Sequence, residues 1–134
     1  MVFFTNGVSS RTKSSKLIKE RKNNLTKVKK LFKFNIIKHF DFFDNELDKY
    51  TLLSITKKIE KILDQFKPSI VFTHWEHDIN IDHRKIYEAT LVATRPYPGQ
   101  IVKEVYSYEI LSSSDWNFLN SFNPNFFINI EKFI

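Results

Sequence analysis

Apolar residues recur at Leu52, Ile55, Ile59, Ile62 and Phe66, at steps of three and four, the period of one helix face. Pro68 stops that pattern, and SIVFTH (69–74) follows as a short buried strand. Upstream, Leu17, Ile18, Leu25, Val28, Leu31 and Phe32 give a second helical stripe over 14–32, interrupted on its inner side by Arg21. Two apolar runs flank this helix. Val2-Phe3-Phe4-Thr5 reads as a buried strand ended by the Asn6-Gly7 turn signal, and NIIKHF (35–40) reads as another. The acidic connection DFFDNELD (41–48) then leads into the 52–66 helix. A third helix is predicted from about Asp82 to Thr94, closed by Arg95-Pro96 because a residue before proline is biased away from helix. VKEVYSYEI (102–110) and FFINI (126–130) have strand character.

The predicted order is strand–helix–strand–helix–strand–helix, followed by two strands, in a chain with no internal repeat or linker. Such alternation implies a mainly parallel sheet covered by helices on both faces. Ligands of such sheets bind beyond the carboxyl ends of the strands. Three polar segments are expected to meet there: 5–11, 41–48 and 74–83. The loop from Trp75 to Ile81 exceeds the usual strand–helix connection of about two to six residues, and long loops at that edge tend to carry function.

Composition narrows the class. A hydrophobic content of 42%, with 14 Phe, in 134 residues supports a single folded domain spanning 1–134. The chain has no cysteine, which excludes disulfides, thiolate metal sites and cysteine nucleophiles. Its two glycines, Gly7 and Gly99, cannot build a phosphate cradle or a dinucleotide fingerprint, and no G-x-S-x-G elbow is present. The net charge of +6 is concentrated between Arg11 and Lys33, which hold ten Lys/Arg against Glu20 alone. A basic block can address nucleic acid, an anionic membrane or an acidic substrate. Lacking interleaved aromatics and a binding motif, this one reads as a solvated helix face, and no nucleic-acid partner is expected. No apolar run approaches the ~18 residues of a membrane span, and the opening residues have no signal-peptide layout. The default expectation is a cytoplasmic protein.

What chemistry remains lies in FTHWEHDINIDHRK (72–85). Imidazole is a strong zinc ligand, and a hydrolytic zinc site typically keeps three protein ligands and an open position. His83, with Asp82 beside it, is the sharpest metal candidate. A histidine in the first turn of a helix is more often a capping or packing residue, so both readings stand on composition. His74 is readable as a ligand, as an orienting group or as a strand-end residue bonded to backbone. His77 and Glu76, in mid-loop, read as solvated. His39 and Asp41 share a strand face, but the intervening Phe40 and Phe42 read as packing.

The segment Asp78-Ile79-Asn80-Ile81-Asp82-His83-Arg84 resembles the second signature of the PIG-L/LmbE-like de-N-acetylases, zinc hydrolases that deacetylate N-acetylglucosamine-type sugars. FFTNGVSSR (3–11), DFFDNELD (41–48), KPSIVFTH (67–74), ATRPYPG (93–99), KEVYSYEI (103–110), WNF (116–118) and FNPNFFINI (122–130) are similar to the family in the same order. The resemblance implies a Rossmann-like three-layer α/β sandwich and a His/Asp/His zinc site completed by water. It makes His83 a metal ligand and Asp82 the carboxylate that orients polar groups around the site. Asn80 stands where many members carry a histidine that stabilises the oxyanion and protonates the leaving amine. Asparagine can donate to an oxyanion but cannot deliver a proton. Asp44 matches a position that binds sugar hydroxyls, Arg21 a substrate-contacting arginine, and Arg11 is a further sugar or phosphate contact or a solvated loop residue.

The family's first signature, His-Pro-Asp-Asp, which supplies the other two ligands and the general base, is absent from these residues. The expectation is therefore a partial de-N-acetylase domain whose first strand is missing and which continues past its last residues. Such a chain would be inactive alone and able to self-associate through an exposed sheet edge. A non-catalytic carbohydrate-binding remnant using Asp44 and Arg21 is the alternative. A nucleic-acid module built on the 11–33 helix, with Lys29 and Lys30 as contacts, is the third reading.

Overall fold

The computed structural model describes residues 1–35 and 38–133. Its regular elements run β1 (Val2–Thr5), α1 (Ser15–Phe32), β2 (Lys38–Phe42), α2 (Leu52–Phe66), β3 (Ile70–Thr73), α3 (Ile81–Thr94) and β4 (Glu104–Ser107), with single 3-10 turns at Leu47–Lys49, Ser114–Trp116 and Glu131–Phe133. Helices alternate with short parallel strands, so the α/β class read from the sequence holds.

Each helix is bounded by chemistry visible in the chain. Thr51 caps α2 by accepting the Ser54 N–H at 3.2 Å, and Lys67, in the left-handed conformation, returns its N–H to Leu63 O at 2.8 Å before Pro68. Asn80 caps α3, and Arg95 leaves the helix ahead of Pro96. The α2 stripe buries Ile55, Ile59 and Leu63 against Ile86, Ala89 and Ala93 of α3, and Leu47 plugs the end of the same cluster. Full burial of such a Leu or Ile contributes roughly 1.5–3 kcal/mol. The alanines of α3 let α2 pack closely, and Thr73 meets Thr90 at 3.3 Å to tie β3 to α3.

α1 behaves differently. None of its residues is buried, and Leu31 and Phe32 are 75% and 64% exposed. Its capped ends and the Lys22–Asp41 ion pair (2.7 Å) hold a lysine-rich, solvated helix, as its charge implied.

The strands form two separate parallel pairs among the described residues. β1 runs beside β2 (Val2 opposite Lys38, Thr5 opposite Phe42, with an irregularity between Phe3 and Thr5), and β3 beside β4 (Ile70 opposite Glu104, Thr73 opposite Ser107). Each strand therefore has one hydrogen-bonded neighbour, where a single continuous sheet was expected. The strand expected over 35–40 is β2, displaced to Lys38–Phe42; Ile36 and Ile37 lie outside the described residues. The 102–110 strand contracts to four residues.

The strand expected at 126–130 does not form. FFINI is irregular, with Phe127 78% exposed and Phe126 resting on the Tyr106 ring at 5.0 Å. An apolar run becomes a strand only where a ladder partner satisfies its backbone, and none lies beside it among the described residues. Phe40 and Phe42 do pack as read, against Phe4 (5.2 Å) and Tyr50 (4.4 Å).

Candidate active site

The loops that leave the strand ends are tied together by side chains. After β1, Asn6 accepts the N–H groups of Val8 (3.1 Å) and Ser9 (2.9 Å), folding a tight turn in which Gly7 has φ +64°. Ser9 Oγ accepts the Asp44 N–H at 2.7 Å, and the Asp44 carboxylate accepts from Thr5 Oγ1 (3.4 Å) and from Ser10 Oγ. The loop after β2 is thus clamped to the loop after β1. The next clamp is Asp82, whose two oxygens accept the N–H groups of Asn45 (2.7 Å) and Leu47 (2.9 Å). Burial pushes the Asp82 carboxyl above its usual range, only partly offset by those two N–H donors.

The start of α3 is built on two side chains. Asp78 Oδ1 accepts the Asn80 N–H at 2.8 Å, and Asn80 Oδ1 accepts the N–H of Asp82 (2.9 Å) and His83 (3.4 Å). Capping with the oxygen leaves the Asn80 Nδ2 donors as the groups available to a ligand. His83, in the first turn, sets Nδ1 at 2.9 Å from Asp78 Oδ2. Asp78 is 1% exposed, and its Oδ2 also accepts from Ser113 Oγ at 2.8 Å. Arg84 donates to the carbonyls of Asp78 (2.6 Å) and Ile79 (2.9 Å), fixing the loop from outside.

His74, at the end of β3, stacks on His83 with ring centroids 4.1 Å apart. Its Nε2 lies 3.3 Å from Tyr108 Oη, and its Nδ1 is buried without a hydrogen-bond partner, so the backbone bond considered for it is not made. Burial, followed by the neighbouring His83, lowers its pKa to about 4, which keeps the ring neutral. Burial, followed by Asp78, raises the Tyr108 hydroxyl. His77 and Glu76 are exposed mid-loop residues 3.5 Å apart.

Of the residues picked from the sequence, Asn80, Asp82, His83 and Asp44 are joined in one network. Asp82 serves the 43–48 loop backbone through its hydrogen bonds to Asn45 and Leu47. Arg21 lays its guanidinium over Gly7, at the first loop. Arg11 is an exposed loop residue whose own N–H bonds Val8 O at 3.0 Å. His39 and Asp41 stand 3.4 Å apart beside Lys22, in a cluster of their own. Sequence reading passed over Asp78 as a site residue, and Ser113 and Tyr108 entirely. The Asp-x-Asn spacing ahead of a helix signalled the Asp78 turn; nothing local signalled that Ser113 would reach it.

Among the described residues no group of three or more His, Asp or Glu side chains could hold a metal ion. His83 pairs Nδ1 with the Asp78 carboxylate at 2.9 Å, an arrangement in which Nε2 is the nitrogen left to meet a metal ion. The residues present fit one metal ligand and do not fit a complete set.

Parallel strands with polar loops gathered at their carboxyl ends, and a histidine paired with a buried carboxylate at a helix start, define an α/β protein whose candidate site lies at that edge. The PIG-L family, GlcNAc-PI de-N-acetylase, matches residues 1–94, more than half of the chain, and the chain belongs to that family. No curated protein and no solved structure matches it. Membership points to deacetylase chemistry and a sugar-type substrate. No helix among the described residues is long and apolar enough to cross a membrane.

Proposed function

We propose that this chain carries one half of the active site of a zinc-dependent hydrolase that removes the acetyl group from an N-acetylglucosamine-type sugar or conjugate. The observation that carries the reading is the Asp78–His83 pair at the start of α3, within the span that matches the family. Water adds to the acetyl carbonyl, the C–N bond breaks, and acetate and the free amine leave. In this reading Asn80 Nδ2 donates to the carbonyl oxygen as charge develops on it. Asp44 and Arg21 contact the sugar, with Arg11 at the rim. Asn80 holds no transferable proton, so another group protonates the amine.

The zinc would take His83 as one ligand and the remainder from a strand that occupies the free edges of β1 and β3. That strand would merge the two pairs into the Rossmann-like three-layer arrangement and bring the general base. Without it, residues 1–134 would be inactive, and their open edges would favour pairing with a second copy. The setting proposed for this reaction is cytoplasmic.

The test is zinc stoichiometry together with acetate release from an N-acetylglucosamine conjugate, for residues 1–134 and for the product isolated from the source cell. The chain of 134 residues is expected to retain no stoichiometric zinc and to release no acetate. Zinc retention with turnover by this chain would refute the half-site reading and leave the deacetylase reading standing. A zinc-loaded natural product with no turnover on any amino-sugar amide would refute the deacetylase reading itself.

A further inference from the structure

His83 is held on three sides, and two of its neighbours have a definite donor and acceptor sense. Asp78 Oδ2 stands 2.9 Å from Nδ1, and the Ser113 oxygen lies 3.5 Å from the same nitrogen. A carboxylate can only accept, and the Ser113 hydroxyl proton is committed to Asp78 at 2.8 Å. Both neighbours therefore present lone pairs to Nδ1. His74 stacks on one face of the imidazole, with ring centroids 4.1 Å apart. Asp78 is itself immobilised: it is buried, and its other oxygen accepts the Asn80 N–H at 2.8 Å.

We propose that Asp78, supported by Ser113, is a positioning residue that locks His83 in the Nδ1–H tautomer. The lock presents Nε2 as an unprotonated lone-pair donor. An imidazole set this way suits a metal ion or the proton of a water molecule, and its orientation exists before any ligand arrives. Asp78 has a second, purely structural bond to the Asn80 N–H, and the two roles can be separated. In Asp78→Asn the amide oxygen can keep the Asn80 bond while the amide nitrogen donates to Nδ1, which reverses the tautomer.

Side-chain nitrogen–proton correlation spectra of His83, recorded on the full chain where the ring carries one proton, read the tautomer directly. They need neither metal nor turnover, so their outcome is independent of the deacetylase reading. The wild-type ring is expected to show a single Nδ1–H species with a downfield, slowly exchanging proton. Asp78→Asn is expected to shift the majority to Nε2–H, whereas Ser113→Ala, which leaves the carboxylate in place, keeps Nδ1–H. A wild-type ring protonated mainly on Nε2 overturns the proposal, as does an unchanged tautomer in a folded Asp78→Asn. Should that variant not fold, the wild-type proton still decides: its absence at Nδ1 counts against the lock, and its downfield position supports it.

Discussion

Asp82 Oδ1 accepts the backbone N–H of Leu47 at 2.9 Å, joining two buried residues 35 positions apart. The residue next to the candidate ligand thus fastens the loop that carries Asp44 to the start of α3. Removing this carboxylate strands two N–H groups, those of Asn45 and Leu47, one of them buried. Asp82→Ala is expected to lower stability by about 2–3 kcal/mol, with Asp82→Asn, which retains one acceptor, losing roughly half as much. Urea unfolding midpoints at equal m-values check this. Equal midpoints for wild type and Asp82→Ala would mean the loop is not held here.

The core prediction separates α2 from α1. Ile55 is fully buried between α2 and α3, whereas Leu31 on α1 is 75% exposed. Ile55→Ala is expected to cost about 2–5 kcal/mol through lost burial and the cavity left behind. Leu31→Ala is expected to stay within roughly 0.5 kcal/mol of wild type. A cost for Leu31→Ala comparable to that of Ile55→Ala would place α1 in the core and contradict the exposure described.

Gly7 tests the first loop. At φ +64° an alanine is strained, and its Cβ would run into the Arg21 guanidinium. Arg21 is a flexible, exposed side chain that can swing away, so the backbone term should dominate. Gly7→Ala is expected to cost about 1–2 kcal/mol. The cost should be the same in an Arg21→Ala background, with coupling below roughly 0.5 kcal/mol. A large coupling in the double-mutant cycle would show that Arg21 is fixed in place over the turn.

His39 should make stability depend on acid. Burial lowers its pKa from 6.5; Asp41 opposes the shift, and Lys22 and Arg21 add to it. Its Nδ1 is buried without a hydrogen bond, and Asp41 Oδ1 stands 3.4 Å away, an ion pair only when the ring is protonated. With the folded pKa depressed, the unfolded chain binds protons from about pH 6.5 downward while the folded ring resists. Stability therefore falls as pH drops below that point, and this group's contribution levels off below the folded pKa. His39→Gln should flatten the slope between pH-resolved urea midpoints in that window. Parallel slopes for the two proteins would remove His39 as the cause.

The local part of this fold was legible in the sequence. The three-and-four steps of Leu52 to Phe66 and the prolines at 68 and 96 mark α2 and the end of α3, because helix periodicity and caps are nearest-neighbour physics. FFINI carried the same apolar signal as a strand, yet strand formation needs a partner that the segment itself cannot reveal. The site divides the same way. His83, Asn80, Asp82 and Asp44 stood out by type and motif, whereas the grip of Ser113 on Asp78 spans 35 positions and the stacking of His74 on His83 depends on how β3 meets α3. Arg11 and Arg21 matched by position, but an exposed arginine's reach is set by solvent and ligand as much as by the chain.

Asn80 has two tasks, and different substitutions divide them. Its Oδ1 caps α3 through the N–H groups of Asp82 and His83, while Nδ2 is proposed to meet the acetyl oxygen. Serine caps a helix about as well as asparagine, and alanine does not, so Asn80→Ala should cost about 1 kcal/mol of stability and Asn80→Ser only a few tenths. Neither side chain retains the amide donor. In the turnover-competent protein both variants should therefore lose about 10²-fold or more in kcat, with much smaller changes in KM. Thermal unfolding separates the two variants and steady-state kinetics should not. If Asn80→Ala keeps full kcat, the residue is a cap alone and the oxyanion donor must be sought elsewhere in the site.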